Sequence, residues 1–170
     1  RTKELEKIKR YDTPRRSPMY YRTNLLIHSH RVYLLISNIM PIATEIYNSE
    51  LNPEKALTLA IVHDDAEIIT GDVSRYDKDR MTQKQLLNHE QREDDAIKYL
   101  STIWPKNING FSYQELLYHA LRKDCLEAQI VSYCDKIDAF CESLHEVRAG
   151  NKKFKGTSLD YIKKLKEFPE

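Results

Sequence analysis

Glycine is scarce in this sequence. There are four in 170 residues, Gly71, Gly110, Gly150 and Gly156. No group of them can form a glycine-rich phosphate loop, which excludes P-loop and Rossmann chemistry. So few glycines also favour helices over tightly turned sheet. Charge of one sign is lacking too. The net charge is +1, which gives no bulk field to draw in nucleic acid or an acidic membrane surface. No apolar run approaches the roughly 20 residues that cross a bilayer. The charged opening "RTKELEKIKR" has no signal-peptide core. There are three cysteines, Cys125, Cys134 and Cys141. An odd number without paired spacing fits free thiols in a reducing cytoplasm, with metal ligation as the alternative. The expected setting is therefore cytoplasmic, with no nucleic-acid and no membrane partner.

What is present reads as helix. The length predicts one domain, residues 1–170. Charged residues make up 31% of the chain and are interspersed, as on a solvated surface. Residues 3–10 read as a short charged helix, and "DTPRRSP" as a loop. From Asn24 to about Tyr47, Leu25, Val32, Leu35, Ile36 and Ile39 recur at helical spacing, with Pro41 as a kink or a break. "NPEKA" starts another helix, with Asn52 as N-cap and Pro53 in its first turn. That helix is expected to reach Thr70 and stop at Gly71. A polar loop, 71–81, follows. Thr82 with Gln85 and Ser112 with Glu115 read as capping boxes. The first opens a long charged helix ending near Trp104, the second a short one to about Leu121. A helix from Leu126 to Ala149 closes at Gly150, and Thr157 or Ser158 caps a last piece. No segment reads as a strand. The fold class is all-α, a bundle of about six helices, and Leu86, Leu87, Ile97 and Leu100 are apolar surface that would suit a homodimer.

Three of these helices each aim a polar group inward. In "IVHDDAEIITGD", Asp64 falls in the apolar stripe of Leu57, Ala60, Ile61 and Ile68, and His63 and Glu67 share a face beside it. A carboxylate on a buried face is costly unless paired or bound to metal. His28 lies on the stripe of Val32 and Leu35, whereas His30 points away and reads as surface. Asp135 follows Ala128 and Val131 inward, and Asp138 continues that side. Each alone fits a satisfied core residue. Together, two His and two Asp from three helices make a good set for one divalent transition metal.

In order, His28, His63–Asp64 and Asp135 resemble the H…HD…D signature of HD-domain metal-dependent phosphohydrolases. "HDDAEIITGD" is similar to the H-D-x-x-E-x-x-T-G-D segment of the YfbR-like 5'-deoxynucleotidases, "NLLIHS" to their N-x-x-E-H-S, and "CDKIDAFCESLHEVRAGNKKF" to the tail of that family. Two departures stand out. Ile27 replaces the usual Glu before the first metal His, and "VSRYDK" replaces a proline-threonine element after Gly-Asp.

The resemblance implies a helical HD-type bundle and one divalent metal (Co, Mn, Zn or Fe, with Mg a further candidate) held by His28, His63, Asp64 and Asp135. Glu67 and Asp72 would be the acid–base carboxylates. Arg10 would meet the substrate phosphate, with Arg15 or Arg16 as alternatives and Lys78 as a second cation. The implied reaction is removal of the 5'-phosphate from a (deoxy)nucleoside monophosphate by a metal-activated water. Two alternatives are a (deoxy)nucleoside triphosphate triphosphohydrolase, for which "TPRRSP" and "SRYDKDR" supply cations, and a non-catalytic nucleotide-binding regulatory module. Product analysis separates the first two.

Overall fold

A computed structural model describes residues 1–11, 18–73 and 75–168. Arg15 and Arg16 lie outside the described residues. The elements are α1 (Thr2–Lys7), α2 (Leu25–Tyr47), α3 (Pro53–Val62), α4 (Glu67–Thr70), α5 (Arg75–Lys78), α6 (Gln83–Ile103), β1 (Asn107–Ile108), β2 (Phe111–Ser112), α7 (Tyr113–Arg122), α8 (Leu126–Arg148) and α9 (Lys155–Lys166). Single 3₁₀ turns, Asn48–Glu50 and Lys152–Phe154, follow α2 and precede α9. The all-α expectation is met, with nine helical segments among the described residues rather than six.

The core sits where α2, α3 and α8 pack together, with α6 and α7 alongside. Val32 and Ile36 of α2, Leu59 and Ala60 of α3, Ile97 and Leu100 of α6, Leu116 and Leu117 of α7, and Val131 of α8 are all buried there. Ile97 and Leu100 are thus core, not the exposed apolar surface expected on α6. Leu87 is exposed. Among the described residues, no helix is long and apolar enough to cross a membrane.

Several caps fall where the residue types place them. Asn24 accepts from the Ile27 N–H at 3.0 Å at the start of α2. The Thr82–Gln85 box is complete. Asn52 accepts from the Lys55 N–H at 3.1 Å, and its own N–H donates to Glu127 Oε1 at 2.9 Å. Asn52→Ala keeps the second bond and loses the first. It is expected to lower unfolding stability by about 1 kcal/mol, read as a reduced urea midpoint at unchanged slope. An unshifted midpoint would remove the cap from the account.

At Pro41 the break is ruled out, and three local expectations are corrected. α2 runs through Pro41 without breaking; Pro41 and Ser37, whose carbonyl the missing N–H would have met, both face solvent. The 71–81 loop contains α5. α9 starts at Lys155, and Ser158 is buried inside it, donating to Ser143 Oγ at 2.9 Å and so tying α9 to α8. A two-residue antiparallel ladder, Asn107↔Ser112 and Ile108↔Phe111, exists where no strand was expected. Its turn is Asn109–Gly110, with φ of +50° and +84°, the residue pair that a tight hairpin favours.

The largest correction concerns the expected helix from Pro53 to Thr70. It breaks after Val62. Residues 63–66 form a tight turn in which Asp65 N–H bonds Val62 O, Glu67 N–H bonds Asp64 O and Ile68 N–H bonds Asp65 O, at 2.9, 2.9 and 3.0 Å. These are i→i+3 bonds, so the chain is wound more tightly than an α-helix. Fully buried Asp65 anchors the turn, accepting from Arg1 Nε at 2.6 Å and from the Tyr113 hydroxyl at 2.9 Å. Arg1 also donates to Ile61 O.

Candidate active site

Three elements deliver the expected metal ligands. His28 stands one turn into α2 and is fully buried. His63 and Asp64 come from the tight turn after α3, and Asp135 from the middle of α8. The structure brings the four together. His28 Nε2 is 3.3 Å from His63 Nε2, 3.3 Å from Asp64 Oδ2 and 3.2 Å from Asp135 Oδ1. His63 Nε2 is 3.3 Å from Asp64 Oδ1. Donor atoms of His28, His63 and Asp64 all lie within 4.8 Å of one another, and Asp135 joins them through His28.

The hydrogen bonds behind the imidazoles orient them. His63 Nδ1 is 2.9 Å from Ala60 O, which can only accept, so Nδ1 carries the proton. His28 Nδ1 is 2.8 Å from Asp138 Oδ2 and donates to it. Both rings therefore turn Nε2 toward the same point, the arrangement of imidazoles held for a metal. Two facing lone pairs repel unless a cation lies between them. The electrostatics make the same demand. Burial, and then Arg10, oppose charge on His28, yet hydrogen bonds to Asp135, Asp138 and Asp64 hold its pKa well above the usual value. Burial likewise resists ionisation of Asp135 and Asp64, but the two imidazoles keep both carboxyls below the ordinary range. Positive charge is thus favoured at this cluster. The donor set of two nitrogens and two carboxylates fits a divalent ion.

Glu67 and Asp72 lie beside this group. The i→i+3 winding puts Glu67 over Asp64, whereas regular α-helix would have paired it with His63. Glu67 is held protonated well above the usual range by burial, by Asp64 and by Asp72, and its Oε2 is buried without a hydrogen-bond partner. Gly71, at φ +77°, ends α4 and lets the chain turn Asp72 back. Asp72 Oδ2 accepts the Tyr11 N–H at 2.7 Å. Burial raises its pKa, although Arg10 and the Tyr11 N–H oppose that.

Arg10 arrives by backbone pairing. Its N–H donates to Thr23 O and the Leu25 N–H to Ile8 O, both at 3.0 Å, which fixes this segment against the start of α2. Its guanidinium lies 3.8 Å from Asp135 Oδ1 and 3.3 Å from Glu142 Oε2. Lys78 is at the rim, paired with Glu93 at 2.9 Å, so it lines the cleft without reaching the metal-type cluster. His30 is exposed, as expected.

Arg10, His63, Asp64, Glu67, Asp72, Lys78 and Asp135 line one cleft of about 520 Å³. Beyond Asp135 its wall turns apolar, with Ile97, Leu117, Ala120, Leu121, Ala128 and Val131, and Lys123, Lys136 and Lys164 also border it. Two contributors had not been singled out in the sequence. Glu142, which holds Arg10 and also accepts from Arg31 at 3.0 Å, lies four after Asp138 and seven after Asp135; that spacing was a usable signal. Tyr161 comes from α9, its hydroxyl 3.5 Å from that of Tyr11. Burial and Tyr11 keep its phenol neutral. Nothing in its local sequence marks it.

This geometry has relatives. The YfbR-like 5'-deoxynucleotidase family model matches residues 2–170. A 5'-deoxynucleotidase of Pasteurella multocida is 27% identical over 137 residues, covering 79% of this chain and 67% of that protein. One from Vibrio parahaemolyticus is 28% identical over 134 residues, covering 77% and 66%. The chain thus spans about two thirds of the length of these relatives. An HD-domain phosphohydrolase from Listeria innocua superposes with a TM-score of 0.70 over 98% of this chain and 79% of that one, at 22% identity. A protein from Pyrococcus horikoshii OT3 does so at 0.71 over 98% and 86%, also at 22%; at such identity the likeness shows the fold. With residues 2–170 matched and the H…HD…D residues converging on one point, this protein belongs to the YfbR-like 5'-deoxynucleotidase family, on an HD-type helical fold.

Proposed function

We propose that this protein is a metal-dependent phosphohydrolase that removes the 5'-phosphate from deoxynucleoside monophosphates. The observation that carries this reading is the convergence of His28, His63, Asp64 and Asp135 on one point, with Glu67, Asp72 and Arg10 beside it in one cleft. A divalent ion held by those four residues supplies a Lewis acid for a phosphoryl oxygen and acidifies a water. The nitrogen content of the set favours Mn, Co, Zn or Fe over Mg.

The chain's own groups do the rest. Arg10, held by Glu142, faces the negative charge of the phosphoryl oxygens. Burial and two neighbouring carboxylates push the Glu67 carboxyl above its ordinary range, which suits it to donate a proton to the departing 5' oxygen. Asp72, fixed at one oxygen by the Tyr11 N–H, keeps the other for a proton from the attacking water. The apolar wall of Leu117, Ala128 and Val131 receives the base. The three free thiols suit a cytoplasmic setting.

A second reading, triphosphate release from a nucleoside triphosphate, is favoured by Lys123, Lys136 and Lys164 along the same cleft. A panel of deoxy- and ribonucleoside mono- and triphosphates, assayed with each of Mn, Co, Zn and Mg, decides between them. Inorganic phosphate and nucleoside from monophosphates are expected. Inorganic triphosphate as product would move the assignment to the second reading. No turnover of any nucleotide with any ion would overturn both.

A further inference from the structure

The corner between α7 and α8 holds another group of metal-type donors, which shares no residue with the active-site cluster. α7 ends at Arg122. Lys123 follows with φ of +56°, its N–H bonded to His119 O at 2.7 Å. That left-handed residue folds the chain back on itself, so the next two side chains meet the turn of helix they have just left. His119 Nδ1 is 2.6 Å from Asp124 Oδ1. Donor atoms of His119, Asp124 and Cys125 all lie within 4.8 Å of one another.

Cys125 is the N-cap of α8, where Ser, Thr, Asp or Asn is usual; its sulfur makes no cap hydrogen bond of normal geometry and interacts with the Ala128 N–H and Glu127. Lys55 Nζ lies 3.6 Å from Cys125 Sγ and also pairs with Glu127 at 3.4 Å. The Lys55 and Glu127 charges offset each other. Burial, with Glu127, raises the Cys125 thiol above its ordinary pKa, so an incoming ion has to displace its proton. With that proton gone, Asp124 and Cys125 supply two negative charges, which one divalent ion neutralises.

We propose that His119, Asp124 and Cys125 form a binding site for zinc or another thiophilic divalent ion, which pins the end of α7 to the start of α8. A thiolate, an imidazole and a carboxylate suit borderline-soft zinc. Magnesium and calcium take oxygen donors instead. Tetrahedral zinc spaces its ligand atoms by roughly 3.3–3.6 Å, which these partly exposed side chains reach with small rotamer changes. The fourth position is left to water. The ion would stiffen one wall of the cleft, because Ala120, Leu121, Lys123 and Ala128 flank the corner and line that wall.

Cobalt(II) tests this directly, since it replaces zinc and gives a near-ultraviolet charge-transfer band only when a thiolate binds it. The active-site cluster contains no sulfur, so the band reports a thiolate site outside it, and Cys125→Ser assigns that site to the α7–α8 corner. Titration of the full chain is expected to give the band together with a second bound equivalent of cobalt. Cys125→Ser should lose both, and His119→Ala should weaken the second equivalent by at least about tenfold. A wild-type chain without the band, or a band that survives Cys125→Ser because Cys134 or Cys141 carries it, overturns the proposal. Failure here leaves the sulfur-free equivalent in place, so it is distinguishable from failure of the active-site reading.

Discussion

His63→Ala is expected to remove cation binding and phosphate release together while the protein stays folded. His63 contributes one of the two facing Nε2 atoms, which also lies 3.3 Å from Asp64 Oδ1, and its Nδ1 bonds Ala60 O. It sits in a turn with its side chain only 8% exposed, but it lines the cleft, so its loss widens the cleft rather than hollowing the core and costs about 1–2 kcal/mol of stability. The loss at the site is larger. Removing even a supporting partner behind a metal ligand costs about 10–100-fold in affinity, and removing the ligand costs at least the upper end of that range. Titration with manganese or cobalt reads the affinity, and circular dichroism the fold. His28→Ala is the poorer experiment. His28 is fully buried and partners Asp138, so truncation strands a carboxylate in the core and confounds folding with binding. A folded His63→Ala protein that takes up manganese with unchanged affinity would separate this imidazole from the cation site.

The parts of this site that were legible in the sequence are those carried by long regular helices. His28 and Asp135 follow their apolar stripes at strict helical spacing, and both stripes lie buried where the period puts them. Asp64 differs: a helix continued from α3 to Thr70 places it inward, but the helix breaks at His63 and Asp64 enters the site from a tight turn. The reason for the break is long-range: Asp65 is tied to Arg1 and Tyr113, 64 and 48 residues away in sequence. No local pattern encodes those partners, and Asp65, rather than Asp64, proves to be the fully buried carboxylate of the pair. The adjustment also changes which side chains meet, bringing Glu67 to Asp64.

α8 carries more of the site in its sequence than its apolar stripe alone marks. Asp135, Asp138, Glu142 and Glu146 recur at intervals of three, four and four. An acidic ladder on one face of a helix ordinarily marks solvent. Here each rung has a partner: His28 for the first two, Arg10 and Arg31 for Glu142, and the Tyr20 and Tyr21 N–H groups with Asn151 for Glu146. Tyr161 and the Lys78–Glu93 pair could not be read the same way. Their roles come from how α9 and α5 lie against the cleft, which only packing decides.

Glu67→Gln is expected to keep the cation and lose turnover. The change preserves shape, and it replaces a carboxyl already held neutral by burial, Asp64 and Asp72 with a group that is always neutral. The charge around His28, His63, Asp64 and Asp135 therefore barely changes, and manganese or cobalt should bind with the wild-type affinity and stoichiometry. Folding stability should be unchanged or slightly improved, since no charge is left to desolvate. What the amide cannot do is release a proton to the leaving oxygen. Loss of a positioned general acid costs about 10²–10⁴-fold, and because that interaction exists only in the transition state, the loss falls on kcat with KM little altered. The two variants thus divide the site physically, His63 answering for where the cation sits and Glu67 for where a proton goes. A Glu67→Gln enzyme that turns over at the normal rate would transfer the acid role to Asp72, the other carboxyl beside the cluster whose pKa burial raises.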